Sequence, residues 1–325
     1  MSELRFDGRV AIVTGAGGKP SVGRAHARLL AKRGAKVVVN DVGVGADPDG
    51  SKPANAEAVV GEITADGGEA IADLHSVASE DGARAVVQTA LDAWGRVDIL
   101  INNAGVGVVG EFKELASHDI ERVVNVHLMG GIWMCRAVWL LMIEANYGRI
   151  VNTTSGGMYG MDGLSVYGAA KFGMYGLTRG LATEGVPHNI RVNAYSPGAY
   201  TNAVDPFYAI DDPATKQAFI DAQPPELVSP GVAFLAHEEC DISGMLFDIS
   251  GGSMSATFLA ASNGYQDPQL TIEAVRDHRD AILDQSHFNV ITEPTDPGRV
   301  NEMAAVLVRK PYTPSPTRLA ASVTS

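Results

Sequence analysis

Short runs of β-branched and other apolar residues recur along the chain, each parted from the next by a longer stretch of helical period. The runs are Val10–Thr14, Lys36–Asn40, Glu69–Ala72, Val97–Ile101, Arg149–Thr153, Ile190–Ala194 and Met245–Ile249. Seven strands are predicted. Of the stretches between them, Asp81–Trp94 sets Val86, Val87, Ala90, Leu91 and Trp94 on one helical face. Strands apolar throughout and alternating with helices bury both faces of their sheet, so the pattern predicts an α/β protein built on a doubly wound, seven-stranded parallel sheet. The alternation stops at Gly251-Gly252. Residues 1–252 therefore read as one domain, and residues 253–325 as a C-terminal extension that wraps the core or a neighbouring subunit. Within the extension a helix is predicted over Leu270–Leu283, with Leu270, Ile272, Ala274, Val275, Ile282 and Leu283 available for burial. The rest is interrupted by Pro294, Pro297, Pro311, Pro314 and Pro316.

Composition narrows the partners. A chain of 325 residues, 46% hydrophobic and 19% charged, can bury a large core. Its net charge of −13 has the wrong sign for holding a nucleic acid backbone. An anionic cofactor remains compatible, because backbone N–H groups bind phosphate without net positive charge. The cysteines, Cys135 and Cys240, form no CxxC pair, so neither a disulfide framework nor a metal site is expected, and a reducing, cytoplasmic location is. The opening MSELRFDGRV has no apolar stretch of signal-peptide type, and no apolar run reaches the roughly 18 residues of a membrane span, so no membrane insertion is expected.

The first strand runs into Thr14-Gly15-Ala16-Gly17-Gly18-Lys19-Pro20-Ser21-Val22-Gly23-Arg24, followed by a helix over Ala25–Lys32. Glycines in such a turn let the backbone close on a pyrophosphate, which the helix dipole stabilises; a turn serving no ligand has the same composition. Asp41 ends the second strand. A carboxylate there accepts the hydroxyls of an adenosine ribose and repels a 2′-phosphate, which favours NAD over NADP. An ordinary turn aspartate before Gly43 is the plainer reading, and Lys19 is the nearby cation that opposes the preference. Tyr167-Gly168-Ala169-Ala170-Lys171, on a helix, sets a phenol and an ammonium one turn apart. A cation favours the phenolate and makes Tyr167 a candidate general acid/base. A solvated helix surface can carry the same spacing by chance.

Together these features resemble the short-chain dehydrogenase/reductase family over residues 6–252. The matching pieces are TGAG…GR after the first strand, Asp41 after the second, Asn102-Asn103-Ala104-Gly105 after the fourth, Thr154-Ser155 after the fifth, YxxxK, and Ser196-Pro197-Gly198 after the sixth. The resemblance implies a Rossmann-type fold and hydride transfer between NAD and a secondary alcohol or ketone. It implies that Ser155 holds the substrate oxygen, Tyr167 exchanges the proton, and Lys171 binds the nicotinamide ribose while lowering the tyrosine pKa. Cofactor contacts are implied at Gly15, Gly17, Ser21, Val22 and Gly23, at Asn103, Ala104 and Gly105, and at Pro197, Gly198 and Thr201. The rival reading is a cofactor-binding regulatory subunit without turnover, against which the intact Ser/Tyr/Lys set argues.

The stretches VVVNDVG, TALDAWGRVDILINNAG, ANYGRIV and SGMLFDISGG resemble more narrowly a branch of the family that acts on 3-hydroxyacyl-CoA and hydroxysteroids. That likeness implies that Ser76 and Val77 line the adenine. Three departures stand out. The glycine turn is longer than usual, with Ser21 in place of its middle glycine; Thr154 stands at the usual spacing from Tyr167, with Ser155 one residue nearer; and His127 replaces the family's relay asparagine, on the expected proton path. The segment Thr201–Glu226, implied to cover the substrate, mixes Val204, Phe207, Tyr208, Ile210, Phe219 and Ile220 with Asp205, Asp211, Asp212 and Asp221. An apolar lid suits a bulky, apolar substrate, whereas the aspartates oppose coenzyme A phosphates unless Lys216 or the extension offsets them. The resemblance also implies a homodimer or homotetramer paired through helices near Ile120–Met142 and Tyr167–Thr183, which carry Trp133, Val138, Leu141, Phe172 and Leu177.

Overall fold

A computed structural model of the chain describes residues 2–43, 55–201 and 212–291. The chain divides into two compact units, one ending at Phe258 and one beginning at Leu259. The first unit holds β1 (Val10–Thr14), α1 (Val22–Lys32), β2 (Lys36–Asn40), α2 (Asn55–Ala65), β3 (Glu69–Asp73), α3 (Glu80–Trp94) and β4 (Ile99–Asn102). It continues with α4 (Ser117–Val124), a π-helical turn (Asn125–Met129), α5 (Gly130–Glu144), β5 (Gly148–Thr153), α6 (Ser165–Gly185) and β6 (Ile190–Gly198). The remaining elements are α7 (Pro213–Ala222), α8 (Ser229–Leu235), β7 (Leu246–Ser250) and β8 (Ser253–Thr257).

The sheet order is β3-β2-β1-β4-β5-β6-β7-β8. Alternate side chains of each strand point to opposite faces, and two cores result. On one face Ala11, Val13, Val37 and Val39 pack with Leu30 of α1, Val59 of α2 and Val232 of α8. On the other, Ile12, Val38 and Leu100 pack with Val86 of α3, Met134 of α5 and Ala182 of α6. The helix face predicted around Val86, Val87 and Ala90 is buried as expected. Strand order reverses at β1, which pairs in parallel with both β2 and β4. A crevice opens there at the carboxyl ends of the strands, where ligands bind in such sheets.

The predicted sheet is correct in type and one strand short. β8 runs antiparallel to β7 in the register Ser250↔Ser253. Gly251 and Gly252, with φ of 53° and 81°, form the two-residue turn between them, and positive φ at both positions is what such a hairpin requires. The alternation therefore ends in a hairpin rather than at a boundary.

In the second unit β9 (Ala260–Ser262) pairs antiparallel with β10 (Phe288–Val290). The single helix predicted over Leu270–Leu283 is instead two short ones, α9 (Ile272–Asp277) and α10 (Arg279–Ile282). His278 leaves the helical region at φ −105°, ψ 17°, and its ring stacks on Tyr265 at 3.8 Å. Of the apolar residues expected to be buried, Leu270, Ile272, Val275 and Leu283 are exposed, Ile272 to 85%, and Ala274 and Ile282 are half-buried. Pro294, Pro297, Pro311, Pro314 and Pro316 lie outside the described residues.

Candidate active site

The turn from β1 to α1 is braced by β4. Thr14 Oγ1 accepts from Asn103 N and Ala104 N, each at 3.0 Å. Asn103 Nδ2 donates to Thr14 O at 2.9 Å and to Gly15 O at 3.0 Å. Gly15 has φ 63°, and a Cβ there would lie 2.6 Å from Ala104 Cα. A Cβ on Gly23 would meet Asn103 Nδ2 at 2.4 Å. Glycine is thus required at both positions for strand, turn and helix to close up. The side chain and the backbone N–H of Asn103 are both occupied in shaping this turn, and Val22 is packed in the core, which leaves its backbone N–H at the start of α1 for a ligand. Ser21 caps α1, its Oγ accepting from Arg24 N at 3.1 Å.

Asp41 follows β2 and closes over the same turn. Its Oδ2 accepts from Gly17 N at 2.8 Å and its Oδ1 from Gly43 N at 2.9 Å. Lys19 Nζ lies 3.8 Å from Glu62 Oε1, and Arg24 also pairs with Glu62. Ser76 is exposed and accepts from Ala78 N at 3.3 Å. Val77 is buried against Gly130. A dinucleotide fits this donor set: backbone N–H groups at the start of α1 suit phosphate, and each Asp41 oxygen keeps acceptor capacity for a ribose hydroxyl.

At the other end of the crevice α6 carries Tyr167 and Lys171 one turn apart, the first half-buried and the second buried. Lys171 Nζ donates to Thr153 O at 3.0 Å, and burial pushes its ammonium pKa down to about 7. Burial raises the pKa of the Tyr167 phenol, and a hydrogen bond with Ser155 opposes that rise. Lys171 Nζ lies 5.8 Å from the centre of the phenol ring. Ser155 caps the single turn Gly156–Tyr159, its Oγ accepting from Gly157 N at 3.2 Å. Thr154 faces away, its Oγ1 donating to Tyr195 O at 2.9 Å. Ser155 is thus the hydroxyl brought to the phenol.

His127 packs edge-on against Tyr167, ring centres 5.0 Å apart. It occupies the π-helical turn, and its Nε2 lies 3.0 Å from Val106 N and 2.8 Å from Val106 O. Burial, with a smaller push from Lys171, lowers its pKa to about 3, so the ring is neutral. Its Nδ1 is buried with no hydrogen-bond partner among the described residues. The ring, Lys171, Thr153, Asn102 and Thr14 line one small cavity of about 10 Å³, the room of about one water molecule.

Val108, Leu115, Ile120, Val123 and Val166 surround Tyr167 in a mainly apolar pocket of similar size, about 10 Å³. Pro197 and Gly198 continue β6 in its ladder with Ile249 and Ser250. Thr201 is buried at the edge of the described residues. Of the expected lid, Val204, Asp205, Phe207, Tyr208, Ile210 and Asp211 lie outside the described residues. Phe219 on α7 meets the Tyr200 ring at 6.2 Å. Sequence reasoning missed Thr14 and Thr153. One acts through hydrogen bonds to the β4 turn and the other through its carbonyl, and neither leaves a spacing signal.

Comparison with known proteins agrees with this geometry. Residues 9–206 match the short chain dehydrogenase family. The chain is 39% identical over 291 residues to peroxisomal multifunctional enzyme type 2 of Mus musculus, a match that covers 88% of this chain and 38% of the mouse protein. It therefore spans well under half of that relative's length. The full-length enzyme of the same name from Drosophila melanogaster aligns with a TM-score of 0.73 at 32% identity, over 94% of this chain and 50% of the other. A 7α-hydroxysteroid dehydrogenase solved with NADH and 7-oxo glycochenodeoxycholic acid aligns at TM-score 0.66 and 30% identity, over 78% of this chain and 98% of the other. The fold, the serine, tyrosine and lysine gathered at one end of the crevice, and the match across most of the first unit lead to one assignment: the chain belongs to the short-chain dehydrogenase family and is an oxidoreductase acting on a CH–OH group.

Proposed function

We propose that the protein is an NAD-dependent dehydrogenase that interconverts a secondary alcohol and a ketone on a bulky apolar substrate, a 3-hydroxyacyl-CoA thioester ahead of a free hydroxysteroid. The observation that carries the reading is the hydrogen bond between the Ser155 and Tyr167 hydroxyls beside an apolar pocket that Tyr167 itself lines.

Nicotinamide bound in the crevice supplies the hydride acceptor. Tyr167, as phenolate, takes the proton from the substrate hydroxyl. Ser155 Oγ donates to the substrate oxygen and steadies its developing charge. Lys171, tethered to Thr153 O, holds the nicotinamide ribose. The neutral ring of His127 takes part in proton exchange by holding water in the small cavity through Nδ1, without changing its own charge.

Asp41 supports NAD over NADP, because a carboxylate tied to two backbone N–H groups cannot swing away from a 2′-phosphate. Lys19, drawn to Glu62, is partly neutralised. The pocket is apolar, as either substrate class requires, and the resemblance of VVVNDVG, ANYGRIV and SGMLFDISGG to the branch that acts on 3-hydroxyacyl-CoA supports ranking that reading first. The steroid reading is kept because the relative solved with a 7-oxo bile acid matches most of the first unit.

Turnover measured with NAD and NADP across 3-hydroxyacyl-CoA esters, hydroxysteroids and small cyclic alcohols tests the proposal. NAD is expected to be preferred at least about tenfold, roughly 1.4 kcal/mol. Acyl-CoA kcat/KM is expected to fall with added salt, through screening of the attraction of Lys216 or the extension for the coenzyme A phosphates. Steroid turnover without acyl-CoA turnover sinks the first substrate choice, and equal kcat/KM for the two cofactors sinks the role of Asp41.

A further inference from the structure

A second histidine stands at the adenosine end of the crevice. His75 follows β3 by two residues, beside the end of β2, where Asp41 N donates to Asp73 O at 2.9 Å. Its side chain is 57% exposed, while that of its partner Asp73 is 1% exposed. Asp73 accepts four hydrogen bonds. Oδ1 takes Asn40 Nδ2 at 2.7 Å and His75 N at 3.0 Å, and Oδ2 takes Thr89 Oγ1 at 2.7 Å and His75 Nδ1 at 2.9 Å. An ionised carboxylate only accepts, so the hydrogen of a neutral His75 ring sits on Nδ1 and Nε2 presents a lone pair. Asn40 Nδ2 also donates to His75 O at 2.9 Å, which fixes the turn together with the ring. An exposed acceptor, oriented by a buried carboxylate, suits an exocyclic amino group.

We propose that His75 selects adenine over an oxopurine in the bound dinucleotide, with Nε2 accepting from the 6-amino group and Asp73 setting the tautomer. The proposal rests on the NAD reading above and deepens it. Hypoxanthine carries a carbonyl in place of that amino group, which would bring two acceptors face to face. Losing one hydrogen bond in this way is expected to weaken binding about tenfold.

Titration calorimetry of the cofactor-free full chain, with NADH and with reduced nicotinamide hypoxanthine dinucleotide, tests it without turnover. The wild type is expected to bind NADH about tenfold more tightly. His75→Ala is expected to bring the two ligands to equality by weakening NADH alone. Asp73→Asn is nearly isosteric and turns an amide donor toward Nδ1. It is expected to move the ring hydrogen to Nε2 and reverse the preference, with an unchanged circular dichroism spectrum as the check on folding. Equal binding of both ligands by the wild type, or a tenfold preference that survives His75→Ala, overturns the role of His75 while leaving the NAD reading intact. Binding of neither ligand overturns the cofactor reading, and the role of His75 falls with it.

Discussion

Acid should unfold this protein earlier than its carboxylates alone would require, and His26 is the sharpest place to test that. The residue is fully buried in α1, with Nδ1 2.8 Å from Ser229 Oγ and Nε2 2.8 Å from Tyr195 Oη. Burial lowers its pKa from 6.5 to about 3. The unfolded chain therefore binds the proton first, so the stability contributed above pH 6.5 is lost progressively as pH falls toward 3. At 1.36 kcal/mol per unit below the unfolded pKa, the loss between about pH 8 and about pH 5 is roughly 2 kcal/mol. His127, also lowered to about 3 by burial, adds a similar amount. The sum of about 4 kcal/mol is a large share of an ordinary folding margin of about 5–15 kcal/mol. His26→Gln keeps a donor and an acceptor at that position and cannot titrate. Urea unfolding of the cofactor-free protein, followed by tryptophan fluorescence at the two pH values, should show the variant losing about half as much stability as the wild type. Equal losses would refute the assignment of His26 as a buried neutral ring.

The remaining predictions concern chemistry and assembly. Tyr167→Phe should remove at least about a thousandfold of turnover yet leave NADH affinity, read by nucleotide fluorescence, nearly unchanged; substantial residual activity would move the acid/base role elsewhere. Ser155→Ala should cost far more kcat than Thr154→Val, because the Thr154 hydroxyl donates to Tyr195 O; the opposite order would make Thr154 the residue that holds the substrate oxygen. His127→Asn should preserve turnover better than His127→Leu, since Asn can still hold water in the cavity; equal tolerance would reduce His127 to a packing residue. The chain should scatter light as a homodimer or homotetramer at micromolar concentration, with Phe172 at 41% exposure and the half-buried Trp133, Leu141 and Leu177 as covered surface. Val138, expected there from its helical position, is instead fully buried in the subunit core. A monomer would contradict the assembly.

How much could be read beforehand depended on whether a residue acts through its side chain at a fixed spacing. Tyr167 and Lys171 sit one helical turn apart, so a four-residue spacing was enough to place them together. Asp41 was legible because a strand end fixes where its carboxylate stands. Ser155 was not separable from Thr154 by counting, because the difference lies in which hydroxyl the backbone turns toward Tyr195. β8 was missed because Ser253–Thr257 has little apolar character, with its first three residues exposed, and only the glycine pair before it announces a hairpin. The Leu270–Leu283 helix failed in the opposite way. Its apolar spacing is genuine, but the contact between His278 and Tyr265 divides it, and such a contact leaves no trace in periodicity.

The residues that sequence reasoning missed have a common physical origin. Where β1 and β4 part at the switch point, strand ends leave backbone groups without ladder partners in a buried place, and each must be satisfied. Thr14 and Asn103 do this for the first turn. Asn102 Nδ2 donates to Asn152 Oδ1 at 2.9 Å, and Asn152 Nδ2 to Thr178 Oγ1 at 2.9 Å, joining β4 to β5 and β5 to α6. Thr153 O, at the end of β5, is satisfied by Lys171 Nζ, and Thr153 Oγ1 donates to Tyr195 Oη at 2.9 Å, which leads back to His26. The ammonium proposed to hold the nicotinamide ribose is therefore also the group that closes the hydrogen-bond account of a strand end. Replacing Lys171 would leave a buried carbonyl unpaired as well as removing the proposed ribose contact, and the first loss alone costs about 1–3 kcal/mol. The precision of the site and the stability of the sheet's end rest on the same atoms.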